Sequence, residues 1–236
     1  MSPYPREVAI MAEFLVREIE GMRQVQLELQ DETVRARYGA FSNMRGDIKM
    51  TPRLPSFDDG LRAFFNQESM IRPYYKGTGS ILLQPSLSGY HILDVAEGER
   101  WILEPGVFWA GDGSVDLGVH REPFWASLWA GDGLLAWKTT LCGHGRVAIT
   151  APGPVEVIEL DERELRVQGR LVLGRTDGLH FTSQRSAPFP RNLISGQRRM
   201  RVFTGTGKAL VCWTPYWNEH MYSRMTGESI EGSLFE

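Results

Sequence analysis

The residues best suited to hold a metal or move a proton are His91, His120, His144, His180 and His220, and they are scattered along the chain. None forms a His-x-His pair or stands at a ligand-like spacing from a Glu, whereas a metal site needs three or four converging N, O or S ligands. Loop histidines, exposed or hydrogen-bonded, are therefore expected, with no metal and no cofactor. Asp112, Asp116 and Asp132 offer carboxylates that could suit calcium. Asp-Gly is also what a tight hairpin selects, and the matching positions Gly46 and Gly178 keep the glycine without the extra acids, so turns are the expected reading. The triplets Gly77-Thr78-Gly79, Gly143-His144-Gly145 and Gly205-Thr206-Gly207 are not phosphate loops, because each opens a strand and no Lys-Ser or Lys-Thr follows. No Gly-x-Ser-x-Gly elbow, Cys/His pair or recognisable frame of paired carboxylates is present. The expectation is a protein without catalytic residues. A metal-dependent enzyme on a cupin-like β-fold is the alternative this distribution disfavours.

Two other groups could carry function. Phe124, Trp125, Leu128 and Trp129 form a dense aromatic segment in which Trp125 and Trp129 are spaced for one face of a short helical turn. Large aromatics are mostly buried, so core packing competes with an exposed contact for protein or membrane. Arg198, Arg199 and Arg201, with Arg191 nearby, could bind phosphate, RNA or acidic headgroups. Alternating arginines on a solvated strand face are the plainer account.

The elements that must position these groups repeat. The first glycines of the three triplets are 66 and 62 residues apart. Gly39, Gly106 and Gly169 keep step at 67 and 63, as do Leu27-Glu28-Leu29, Leu93-Asp94-Val95 and Ile158-Glu159-Leu160 at 66 and 65. Three markers holding one period indicate a triplicated unit, spanning about residues 22–90, 91–155 and 156–217. Within the units, period-two alternation such as Val25, Leu27, Leu29 or Val115, Leu117, Val119 reads as half-buried strand. Gly113 and Gly178 are expected in tight hairpins with positive φ. Residues 1–13 form an extension in which Val8, Met11 and, just beyond it, Leu15 suggest a short docking helix, and 218–236 read as a polar tail.

At 236 residues, 42% hydrophobic and 23% charged, the chain is a soluble globular protein with a sizeable core. Cys142 and Cys212 are placed differently in their units and read as buried thiols. No secretory signal opens the sequence and no run approaches a membrane span, so the cytoplasm is the expected compartment. The net charge of −3 hides a split. Residues 163–208 hold nine Arg and one Lys against two acids, while residues 51–162 hold 8 basic against 15 acidic residues. Opposite charges on successive segments favour head-to-tail contact between copies, which closes into a ring.

Several motifs together resemble the altered-inheritance-of-mitochondria family. They are Gly77-Thr78-Gly79 running to Leu83-Gln84-Pro85-Ser86, Pro105-Gly106-Val107-Phe108-Trp109-Ala110-Gly111-Asp112-Gly113, and Ala130-Gly131-Asp132-Gly133-Leu134. Ala151-Pro152-Gly153-Pro154-Val155-Glu156 and Cys212-Trp213-Thr214-Pro215-Tyr216-Trp217-Asn218 complete the match. The resemblance implies an all-β fold, with short double-stranded β-helix or β-sandwich units like the domain of the tryptophan RNA-binding attenuation protein repeated in pseudo-threefold array. It also implies a non-catalytic oligomeric scaffold or binding protein, most simply a homotrimer, linked to membrane organisation. A nucleic-acid- or anion-binding ring through the basic third unit is the alternative, resting on fold analogy.

Overall fold

The structure, a computed structural model, describes residues 11–51, 72–86, 89–122, 137–167, 171–186, 188 and 199–213. These residues form strands, turns and bends, with no helix among them. The first third holds β1 (Glu13–Ile19), β2 (Met22–Ala36), β3 (Phe41–Thr51) and β4 (Tyr74–Leu83). The middle third holds β5 (Tyr90–Val95), β6 (Arg100–Leu103), β7 (Phe108–Asp112), β8 (Val115–Arg121), β9 (Trp137–Gly143) and β10 (Gly145–Thr150). The last third holds β11 (Val155–Leu160), β12 (Leu165–Val167), β13 (Val172–Thr176), β14 (Leu179–Arg185), β15 (Arg199–Gly205) and β16 (Gly207–Cys212). The protein is all-β, as its alternation leads one to expect.

Three antiparallel sheets result. Their strand orders are β3-β4-β2-β7-β10-β5 with β1 added on β2, then β11-β16-β13-β6-β9-β8, then β12-β15-β14. The ladders around the three Gly-x-Gly triplets share one register. Gly79, Gly145 and Gly207 pair with Leu29, Val95 and Leu160. Gly77, Gly143 and Gly205 pair with Ile48, Val115 and Leu179. The glycines are required by close approach as much as by backbone angle. A Cβ on Gly77 would lie 2.0 Å from the Asp47 carbonyl oxygen, and one on Gly205 2.4 Å from that of Gly178. Each triplet therefore lets a strand leave one ladder and enter the next without a side chain in the crossing.

Alternation is read out directly as burial. Val25, Leu27 and Leu29 point into a core with Val34, Ile81 and Leu83. Trp101, Leu103, Phe108, Leu141 and Ile149 form a second cluster, and Val172, Leu179, Phe181 and Phe203 a third. Fully burying side chains of this size is worth about 1.5–3 kcal/mol each, which makes these clusters the main source of stability.

Three expectations are corrected. Leu15 lies in β1, paired with Gln26, so Val8, Met11 and Leu15 do not share one helix face; residues 1–10 lie outside the described residues. Neither Gly113 nor Gly178 has the left-handed φ expected of the hairpins. Their glycines are needed because a Cβ would meet the Thr33 carbonyl oxygen at 2.7 Å and the Thr206 carbonyl oxygen at 2.2 Å. Gly46 has a φ of +107°, and among other glycines positive φ is found at Gly39 and Gly106, +78° and +81°. These close tight turns in which the Ala40 and Val107 amides donate to the Arg37 and Glu104 carbonyls. Counting back two from Ile48, Val115 and Leu179 also matches Gly46 with Gly113 and Asp177, so Gly178 stands one residue out of step.

Candidate assembly interface

Two junctions join the thirds of the chain, and they use the same contacts. At the first, β2 runs antiparallel to β7, with Val34, Arg35 and Ala36 opposite Asp112, Gly111 and Ala110. At the second, β6 runs antiparallel to β13, with Trp101, Ile102 and Leu103 opposite Thr176, Arg175 and Gly174. The Gly113 amide donates to the Thr33 carbonyl at 2.7 Å, as the Asp177 amide does to Arg100 at 3.1 Å. The Arg37 amide donates to the Trp109 carbonyl at 2.7 Å, as the Glu104 amide does to Leu173 at 2.9 Å. Both junctions bury their strands, and β13 is buried along its whole length.

Side chains seal the two junctions differently. At the first, the Arg35 guanidinium crosses to donate to the Gly113 carbonyl at 2.9 Å, and its Nη2 lies 3.7 Å from Asp116. At the second, three buried cations gather at the Phe181 ring with buried Glu122 and half-buried Glu104 as their counter-ions. Lys138 Nζ lies 2.6 Å from Glu104 Oε1 and 3.3 Å from Glu122 Oε1. Arg175 Nη2 approaches Glu122 Oε1 at 2.6 Å, an ion pair whose angles fall outside good hydrogen-bond geometry. Arg201 Nη1 reaches Glu104 at 3.4 Å. Lys138, Arg175 and Arg201 sit 5.1, 5.9 and 5.6 Å from the Phe181 centroid, within cation–π range. Burial pushes the Glu122 carboxyl up, but Lys138 and Arg175 outweigh it and hold the group below the ordinary carboxylate range. His120, 3.8 Å from Glu122, is pushed down by burial; the carboxylate opposes that shift, and Arg175, Arg100 and Lys138 reinforce it.

Asp112 ends β7 at the first junction. Its carboxylate turns inward and accepts the Arg146 amide at 2.6 Å, while Asp116 is exposed and pairs with Arg35. The two acids do not converge. Burial raises Asp112 to about 6, against the pull of the Arg146 amide and charge. In the last third Thr176 holds the same ladder position, and its hydroxyl accepts the Lys208 amide at 2.9 Å. No group of three or more His, Cys, Asp or Glu poised for a metal occurs among the described residues.

Among the described residues β1, β3, β5, β8, β11, β12 and β14 each pair with a single strand, and of these β3 and β12 bear on the junctions. By the shared register β3 holds the place of β7 and β13, and β12 that of β6. On β3, Asn43, Met44, Arg45, Gly46 and Asp47 are all exposed. On β12, Arg166 is exposed and bound by Glu164 at 2.7 and 3.1 Å.

Of the groups singled out from sequence, Phe124, Trp125, Leu128 and Trp129 lie outside the described residues, as do Arg191 and Arg198. Arg199 opens β15 with its side chain outside them too. Arg201 is buried, its guanidinium engaged by Glu104. Sequence reasoning missed Glu104, Glu122, Lys138 and Arg175. The available signal was charge at positions that alternation assigns to the core, as in Leu173-Gly174-Arg175-Thr176.

Antiparallel sheets joined edge to edge, with the matching edges of β3 and β12 uncovered among the described residues, make this an all-β protein. The chain belongs to the mitochondrial biogenesis AIM24 family, whose model matches residues 17–212. It is similar to the crystal structure of protein SPYM3_0169 from Streptococcus pyogenes, with a TM-score of 0.66 at 17% identity, covering 91% of this chain and 99% of that one. At that identity the likeness shows the fold alone. No curated protein matches the sequence. Among the described residues no helix is long and apolar enough to cross a membrane.

Proposed function

We propose that this protein is a non-catalytic scaffold of three tandem β-units that associates head to tail into a homotrimeric ring, of the kind formed by the attenuation protein's domains. The observation that carries the reading is the pair of open edges, β3 and β12, whose counterparts are joined at both internal junctions. An open strand edge in a stable protein calls for a cover, and a second copy supplies one without new chemistry. The charged side chains support the non-catalytic part. Lys138, Arg175, Arg201, Glu104 and Glu122 are engaged with one another. In this reading the ring works in the cytoplasm, with a membrane surface or protein as its client. The RNA- or anion-binding alternative gains nothing from Arg201, which is turned inward. Light scattering of the purified protein at micromolar concentration, in low and high salt, tests the assembly. The expected mass is three times the 26.7 kDa of one chain, and a 26.7 kDa particle in low salt overturns it.

A further inference from the structure

We infer that β12 of one chain lies antiparallel on β3 of the next, with Leu165 opposite Arg45, Arg166 opposite Met44 and Val167 opposite Asn43. The inference rests on the head-to-tail assembly and names its surface. The register comes from the two junctions already formed. Val34 and Trp101 take matching places, facing Tyr75 and Leu141 across their own ladders, and Leu165 faces Phe203 in the same way. On the other strand Asp112 and Thr176 lie one residue beyond Gly111 and Arg175, which face Val147 and Ala209, each two past a triplet glycine. Met44 faces Ile81, two past Gly79, so Arg45 is the third member of that set. Since Val34 meets Asp112 and Trp101 meets Thr176, Leu165 meets Arg45.

Three further observations point to the same surface. Hydrogen bonding at the formed junctions uses the Gly113 and Asp177 amides, so Gly46 and, by the period of two, Met44 present theirs on the side away from β4. Arg166 holds the ladder place of Arg35, and from there its guanidinium reaches the Gly46 carbonyl as Arg35 reaches that of Gly113. Met44 and Met50 are 40% and 51% exposed, whereas their counterparts Arg175 and Phe181 are buried at 4% and 7%. Apolar side chains on an uncovered edge mark a contact, and methionine adapts to a partner surface. β3 and β12 belong to different sheets of one chain, and among the described residues no strand covers the second edge of either, which a second copy would do.

The register is tested by cysteine pairs. Val167 and Asn43 are opposite residues that do not exchange backbone hydrogen bonds, the arrangement that brings Cβ atoms closest. Under mild oxidation N43C/V167C is expected to give covalent dimers and trimers that collapse with reductant. N43C alone, V167C alone and the out-of-register pair N43C/L165C should stay single chains, and the two single variants report any linkage through Cys142 or Cys212. Equal cross-linking by the out-of-register pair, or a disulfide closed within one chain, overturns the inference. M44P adds a second readout. It removes an amide facing away from β4, so the protein should keep its β-sheet circular dichroism and fall to single-chain mass. A folded M44P that remains trimeric overturns the surface while leaving the assembly standing. A wild-type protein that is already monomeric overturns the assembly itself.

Discussion

β3 and β13 occupy the same place in their ladders, yet Val172–Thr176 are all buried and Asn43–Asp47 all exposed. The difference is not hydropathy alone, because β13 buries Arg175 while β3 exposes Met44. It is the neighbour: among the described residues β13 is flanked by β16 and β6, and β3 by β4 alone. Burial of a strand in this fold is thus granted from outside, and a charge can be buried where neighbouring elements supply its counter-ions. The buried junction carries Glu122 and Glu104 to meet Lys138, Arg175 and Arg201. The open edge carries Arg166, whose ion-pair partner among the described residues is its own neighbour Glu164.

The comparison can be broken most severely at Glu122. Removing it as Glu122→Ala leaves Lys138 and Arg175 buried with one carboxylate fewer, and should cost about 3–5 kcal/mol in chemical denaturation. A loss under about 1 kcal/mol would mean that water or another acid balances those cations. At the first junction, Gly113→Val places a side chain against the Thr33 carbonyl, 2.7 Å from the added Cβ. We expect a destabilisation of about 1–3 kcal/mol, measured the same way, with an unchanged melting temperature counting against the close approach. Asp112 should act in the other direction. Asp112→Asn keeps an acceptor for the Arg146 amide without a buried charge, and should stabilise at pH 7.5 by about 1–2 kcal/mol. The smallest effect on the fold belongs to the open edge, where Arg166→Ala should change single-chain stability by about 0.5 kcal/mol or less. Its consequence should appear in the assembled mass instead, and an equal loss in both would merge the two regions.

The acids also separate the regions by pH. Asp112 is raised in the folded protein to about 6, so its ionisation opposes folding. That penalty is present above about pH 6 and is relieved as pH falls from there toward the ordinary aspartate range. Glu122 is depressed, so it contributes stability above the ordinary glutamate range, and this is lost as pH falls through its folded value. Stability of the wild-type protein should rise slightly from pH 7.5 to about 5.5 and fall steeply below about 4, and Asp112→Asn should remove only the rise.

Much of the fold was legible because its signals are local. Leu27-Glu28-Leu29 alternates because one face of β2 meets the core, and the Gly-x-Gly triplets recur because a crossing strand has no room for a Cβ. A wrong detail had an equally local cause. Asp-Gly was read as a positive-φ hairpin, since composition does not distinguish a left-handed residue from one held against a neighbouring carbonyl. Leu15 was misplaced for want of context: it fits a helix spacing, and only pairing with Gln26 makes its segment a strand.

The sequence by itself determined that the chain is all-β, where its strands turn, and to which family it belongs, because period, glycine placement and motif order are properties of the chain alone. Tertiary structure decided the rest. Residues 104, 122, 138, 175 and 201 are far apart in sequence and come together at Phe181 because β6, β8, β9, β13 and β15 end there or pass it. Which edges stay open is likewise a matter of pairing between distant strands. A backbone amide on β3 has the same chemistry as one on β7, and what differs is the neighbouring strand that β7 has and β3 lacks among the described residues.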